Sequence, residues 1–199
     1  MVAAIIGDAV PAFDVQAAGL LPADWQDEIA ALASGSGRQR LIEMTKGGDS
    51  WTFDVVPADV VIQQLGWLSL LYNGALRSFA STAFKCALLP ARRRSATVTL
   101  NLLAGIGATN EWHSDSNSVT GVLYVTSLTP DDGGQLEFRD GPALCPRAGQ
   151  FVCFAGGREH RTAPLRRDVQ RLALAMTYYA EAADQSAANA GDIYTLPSG

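Results

Sequence analysis

Arg171-Leu-Ala-Leu-Ala-Met-Thr-Tyr-Tyr179, read together with Thr97-Val-Thr-Leu-Asn-Leu-Leu103, decides the fold of this chain. Successive side chains of a strand point to opposite faces, so each stretch can be sorted into two sets. In the first, Leu172, Leu174, Met176 and Tyr178 share one face, and Arg171, Ala173, Ala175, Thr177 and Tyr179 share the other. In the second, Val98, Leu100 and Leu102 oppose Thr97, Thr99, Asn101 and Leu103. An apolar face suits packing under helices, while a small or polar face suits either solvent or a cavity for a polar ligand. Further short extended runs occur at 119–127, 135–139 and 150–154, with turn residues such as Asp131-Asp-Gly-Gly134 and Ala155-Gly-Gly157 between them. That rhythm after Pro90 predicts a β-sandwich or barrel.

The first ninety residues read differently. Pro22 followed by Ala23-Asp-Trp-Gln-Asp-Glu-Ile-Ala-Ala-Leu32 predicts a helix with acids near its positive end, stopped by Ser34-Gly-Ser-Gly37. Two short strands are expected between Arg40 and Val56, around Gly47-Gly48. A long helix is expected from 57 or 58 to about 83, because Val61, Leu65, Leu68 and Tyr72 recur at three- and four-residue spacing. The expected organisation is α+β: a helical support region with short strands over 1–90, a β-core over 91–180, and a loosely held tail over 181–199, all in one domain.

Composition limits the function classes. The 199 residues carry 15 Lys and Arg against 20 Asp and Glu, a formal net charge of -5, so a phosphate-gripping nucleic-acid binder is not expected. No uncharged apolar run reaches the length of a membrane span, and the opening residues lack a basic, signal-like segment. Three cysteines without metal-type spacing read as free thiols in a reducing cytoplasm. The basic runs Arg92-Arg-Arg94 and Arg166-Arg167 read as solvated loop charges. Trp112 either lines a mouth or packs.

Only two histidines are present. His113 belongs to Asn110-Glu-Trp-His-Ser-Asp-Ser116, which makes a His-x-Asp pair with Asp115, and His160 lies just beyond a predicted strand. With fourteen Asp in the chain such a pair has little meaning alone, so its setting matters. The pair follows one predicted strand, the second His follows another, and Arg171 heads the next. Two imidazoles and one carboxylate on one triangular face of a metal leave other positions open, the arrangement of non-heme Fe(II) oxygenases. An i, i+2 spacing lets His113 and Asp115 point the same way from one extended segment.

From Thr97 to Tyr179 the chain resembles the Fe(II)/2-oxoglutarate-dependent oxygenases of the prolyl-hydroxylase-like branch. The likeness rests on His113-x-Asp115, on Gly133-Gly-Gln-Leu-Glu-Phe138, on Pro146-Arg-Ala-Gly-Gln-Phe-Val-Cys-Phe154, on His160-Arg-Thr-Ala-Pro164 and on Arg171-Leu-Ala-Leu-Ala. It implies a double-stranded β-helix (a jelly-roll, cupin-like core) braced by the N-terminal helices. It further implies Fe(II) held by His113, Asp115 and His160 as the catalytic metal ligands, with 2-oxoglutarate and O2 as co-substrates and ascorbate as a stimulant. Arg171 would hold the distal carboxylate of 2-oxoglutarate, and Asn101 would face the same cavity. A second contact is implied from the strand after the His-x-Asp loop. There Leu123 and Tyr124 lie on opposite faces; the register does not separate them, and Leu123 is the position assigned to the co-substrate. Asp115 occupies the place that halogenating relatives leave vacant, so hydroxylation is the implied reaction, with desaturation and ring formation sharing the same ligands.

For substrate, a compact chain without a peptide-repeat-binding signature points to a small molecule, an amino acid or specialised metabolite. Asn110, Glu111, Ser116, Asn117, Arg139 and Arg158 are the polar candidates around the mouth. A prolyl-type peptide hydroxylase and a metal- or ligand-binding barrel without turnover are the alternatives. Oligomeric state is not legible in the sequence.

Overall fold

The computed structural model describes residues 10–44 and 50–180. Its strands are β1 (Ala12–Asp14), β2 (Gln39–Met44), β3 (Ser50–Val56), β4 (Leu89–Pro90), β5 (Val98–Ala104), β6 (Asn110–His113), β7 (Val119–Tyr124), β8 (Leu136–Phe138), β9 (Gln150–Ala155), β10 (His160–Thr162) and β11 (Gln170–Tyr179). They form two antiparallel sheets. The larger runs β1-β9-β7-β11-β5-β3-β2, with β4 also on β11, and the smaller runs β6-β10-β8. The region before residue 90 is therefore more than helical support, because β1 to β4 extend the same sheet as the β-core. The expected tail over 181–199 and the turn at Gly47-Gly48 lie outside the described residues.

Alternation along the central strands sets the layers. Even-numbered Leu100, Leu102, Leu172, Leu174 and Met176 and odd-numbered Val119, Leu123, Phe151 and Cys153 form one core with the helices. The opposite side chains, among them Val122, Tyr124, Val152, Phe154 and Ala173, face the small sheet. Gly121 is forced by this packing: a Cβ there would lie 2.6 Å from the Phe151 ring. Gly121→Ala should destabilise the fold by about 1–3 kcal/mol, as other overpacked cores do, at about 2–4 °C of melting temperature per kcal/mol. A thermal melt checks this.

The helices are α1 (Trp25–Ser34), α2 (Ala58–Gln64), α3 (Gly66–Leu71) and α4 (Arg77–Phe84), the last two joined by a π-helical turn over Tyr72–Leu76. The one long helix expected over 58–83 is thus broken, although its buried face is as read: Val61, Leu65, Leu68 and Tyr72 are all at most 3% exposed. Leu65 leaves helical geometry (φ -111°, ψ 71°) just before Gly66, a weak helix former. The wide turn then lets both Tyr72 and Leu76 reach the core. Tyr72 stacks on Tyr178 with ring centres 4.9 Å apart, and its hydroxyl donates to Thr177 O at 2.7 Å while accepting from Ala91 N–H at 2.9 Å. These contacts tie the helical layer to β11 directly behind the candidate site. Among the described residues no helix is long and apolar enough to cross a membrane.

Candidate metal centre

Both histidines sit on strands too short to show alternation in the sequence. His113 ends β6 and His160 opens β10, and the two are direct cross-strand partners. His160 follows the strand at 150–155 as expected, and His160-Arg-Thr162 is itself the middle strand of the small sheet. Pairing brings the imidazole centres to 4.3 Å. Asp115 lies just beyond β6, where its N–H donates to Gly156 O at 2.8 Å. A Cβ on Gly156 would meet Asn117 O at 2.0 Å, so the chain closes tightly around this loop only because position 156 is glycine.

The three side chains converge. His113 Nε2 is 4.0 Å from Asp115 Oδ1 and His160 Nε2 is 3.8 Å from Asp115 Oδ2. One ligand atom from each of the three lies within 4.8 Å of the others. Each imidazole is also turned correctly. His113 Nδ1 is 2.6 Å from Glu111 O and His160 Nδ1 is 2.9 Å from Arg158 O. A carbonyl can only accept, so both Nδ1 atoms carry the proton and both Nε2 lone pairs face the shared point. Burial lowers the pKa of His160, with Asp115 opposing and His113 adding to the fall, which favours the neutral imidazole that a metal needs. Phe154 packs edge-on against the same ring at 4.6 Å.

A residue that sequence reasoning missed positions the carboxylate. Thr120, on β7, donates its hydroxyl hydrogen to Asp115 Oδ2 and accepts from Asn117 Nδ2 at 3.0 Å. Thr120 and Asn117 are both 7% exposed, so water competes little. The only signal in the sequence was a hydroxyl five positions past Asp115. Thr120→Val should weaken Fe(II) binding about 10- to 100-fold, the usual cost of losing an outer partner of a metal ligand, and Thr120→Ser should retain most of it. Anaerobic Fe(II) titration by calorimetry measures both.

The triad opens on a cleft of about 70 Å³ that also reaches Asn101, Asn110, Arg171, Ala173 and Ala175. Arg171 is 4% exposed; its Nε donates to Gly134 O at 2.9 Å, and among the described residues no carboxylate pairs with it. Burial lowers its pKa, yet a guanidinium starts so high that the charge persists. Glu159 pairs instead with Arg139 at 3.3 Å. Asn101 lies opposite Ala173 and its Oδ1 accepts from Thr99 Oγ1 at 3.3 Å.

Leu123 does not face the cleft. It is fully buried in the helix-side core, and the adjacent Tyr124 faces the small sheet instead. Every residue of β7 is buried, so no polar alternation marked the two faces in the sequence. The Arg171 guanidinium carbon sits 5.4 Å from the Tyr124 ring centre, and the buried Tyr124 hydroxyl has Arg171 beside it as a polar neighbour. Burial pushes that hydroxyl up to about 12, with Arg171 opposing, so it stays a donor at neutral pH. A buried guanidinium with no carboxylate partner among the described residues, beside the Tyr124 hydroxyl, fits a carboxylate ligand, just as two oriented imidazoles and a carboxylate fit a divalent metal.

The other mouth candidates separate. Asn110 lines the cleft, Ser116 is exposed, and Asn117 serves Thr120. Glu111 contributes its carbonyl to His113. Arg158 lies over Phe138 and pairs with Asp140 at 2.8 Å. Trp112 packs rather than lining the mouth: Arg139 and Arg161 lie over its ring at 4.1 and 4.8 Å. The cysteines are free, and burial pushes the Cys153 thiol up to about 12, which makes it inert.

No known family profile matches the sequence, and no curated protein matches it. Solved structures do share its fold. An oxidoreductase of the 2OG-Fe(II) oxygenase family from Burkholderia pseudomallei superposes with a TM-score of 0.61 at 16% identity, covering 82% of each chain. The epimerase SnoN of nogalamycin biosynthesis, in complex with Fe3+, alpha ketoglutarate and nogalamycin RO, gives 0.56 at 15% identity over 81% of this chain and 76% of its own. A prolyl hydroxylase from Trichoplax adhaerens, bound to a peptide fragment of a hypoxia inducible factor, gives 0.59 at 13% identity over 81% and 78%. This chain thus has the fold of the 2OG-Fe(II) oxygenases, and its His113, Asp115 and His160 fit their 2-His-1-carboxylate facial triad.

Proposed function

We propose that this chain is an Fe(II)/2-oxoglutarate-dependent dioxygenase with a double-stranded β-helix core that hydroxylates an unactivated C–H bond of a small molecule. The balanced reaction is R–H + O2 + 2-oxoglutarate → R–OH + succinate + CO2. One observation carries the reading: a convergent His113–Asp115–His160 cluster and a buried Arg171 that has no carboxylate partner among the described residues line the same cleft.

Iron, when bound, supplies the O2 activation that no amino-acid side chain provides. The residues do the rest. His113 and His160 offer Nε2, fixed by the carbonyls of Glu111 and Arg158, and Asp115 offers a carboxylate fixed by Thr120. Arg171 would hold the distal carboxylate of 2-oxoglutarate, with the Tyr124 hydroxyl donating beside it and Asn101 on the neighbouring strand. Ala173 and Ala175 line the same cleft with small side chains. The apolar walls, including Val122, Leu136 and Phe154, keep water from the reacting carbon.

Relatives in fold include an epimerase and a prolyl hydroxylase, so the product depends on how the substrate is held. The test is succinate formation from 2-oxoglutarate with Fe(II), O2 and ascorbate, first alone and then with a panel of small molecules and peptides read by mass. Succinate that depends on Fe(II) and rises with a substrate gaining one oxygen supports the reading. A metal-loaded protein that forms none overturns it.

A further inference from the structure

Resting on the oxygenase reading of this cleft, we propose that Asn110 is a substrate-positioning residue and that the part of the substrate entering the cleft is uncharged, presenting an N–H or O–H donor to the Asn110 carboxamide oxygen.

Two independent observations carry this. Asn110 lines the cleft, on the strand that ends in His113, yet its buried Oδ1 has no hydrogen-bond partner among the described residues. A buried amide oxygen without a donor destabilises a fold, and a leucine of similar size at that position would avoid the penalty. That oxygen needs a donor, and none of the described residues supplies one. What the protein leaves unsatisfied, a ligand can satisfy.

The second observation is charge. Among the described residues lining the cleft, Arg171 and the three triad members are the only ionisable side chains. In the proposed reaction these are committed to 2-oxoglutarate and the metal. Of the charged side chains on nearby elements, Arg139 pairs with Glu159 at 3.3 Å, Arg158 with Asp140 at 2.8 Å and Arg161 with Glu137 at 2.7 Å, and Glu111 is not among the residues that line the cleft. Among the described residues lining the cleft, an amino-acid zwitterion would find no uncommitted partner for its ammonium and none for its carboxylate. The cleft therefore suits a neutral amide, lactam or hydroxylated compound, and a free amino acid is the poorer candidate of the two small-molecule classes.

The experiment uses the full chain loaded anaerobically with Fe(II) and 2-oxoglutarate and titrates probes by calorimetry. Neutral probes are cyclic dipeptides, N-acetyl amino-acid amides and methyl glycosides; charged probes are free proline and leucine. The tightest neutral probe is then compared with its donor-blocked methyl derivative in wild type and in Asn110→Ala. Neutral probes should bind at least about tenfold tighter than the zwitterions. Blocking the donor should cost about tenfold in wild type and under about twofold in Asn110→Ala, a double-mutant cycle that a merely structural residue would not produce. The Asn110→Ala melting temperature should hold or rise, because an unsatisfied polar atom is removed. Tighter binding of zwitterions, an equal methylation penalty in both proteins, or no neutral binder at all overturns the proposal. So does a loss of 2-oxoglutarate affinity in Asn110→Ala exceeding the loss of probe affinity, since Asn110 would then serve the co-substrate. Failure of the oxygenase reading is recognised separately, by the absence of any Fe(II)-dependent succinate.

Discussion

Asp115→Ala should reduce Fe(II)-dependent succinate formation to background and weaken Fe(II) binding more than about 100-fold, beyond the 10- to 100-fold that loss of an outer partner of a metal ligand costs. The expectation follows from the geometry. Without the carboxylate, His113 and His160 still present Nε2 lone pairs, but a dication then meets two neutral donors with no negative charge to offset it. Asp115→Asn sharpens the test. The amide keeps the shape and can still accept from Thr120, so the fold around Gly156 is preserved while the charge is lost. Affinity close to wild type in Asp115→Asn, measured by anaerobic calorimetry, would show that the charge is not what holds the metal. Turnover near wild type in Asp115→Ala would contradict the metal assignment outright.

Arg171→Leu should weaken 2-oxoglutarate binding to the metal-loaded protein by about 2–5 kcal/mol, the range for truncating one partner of a buried, hydrogen-bonded charge pair. That corresponds to roughly 30- to 5,000-fold in Kd. Arg171→Lys should recover only part of the loss, because an ammonium keeps the charge but not the planar fork that meets a carboxylate with two parallel bonds. The metal site should respond far less, which separates the two roles: Fe(II) affinity without co-substrate reports the triad, and its dependence on 2-oxoglutarate reports Arg171. Unchanged 2-oxoglutarate affinity in Arg171→Leu would remove the guanidinium from the site and leave its burial without a functional explanation.

Much of this site was legible before any coordinates. With only two histidines in the chain, the choice of imidazole ligands had no competition, and the i, i+2 spacing to Asp115 supplied the carboxylate. The apolar alternation of β5 and β11 separated the helix-side face from the cleft face, placing Asn101, Arg171, Ala173 and Ala175 together as the structure has them. On β7 the same reasoning failed, because Val119-Thr-Gly-Val-Leu-Tyr124 is buried on both faces and carries no alternating signal. Leu123 was consequently assigned to the cleft, whereas its side chain lies in the helix-side core and that of Tyr124 on the opposite face.

Local sequence thus determined which residue types could do the chemistry and which strands had a greasy side, since both follow from side-chain character and the two-residue period of an extended chain. Tertiary structure alone decided the rest. Pairing β6 with β10 placed His113 opposite His160 although 46 positions separate them in the chain. The carbonyls that aim each imidazole, the Thr120 hydroxyl on Asp115 and the unmatched amide of Asn110 arise only when distant short strands meet. Three or four residues of strand are too few to leave a periodic trace, and hydrogen-bond partners are set by register across strands, which no single segment encodes.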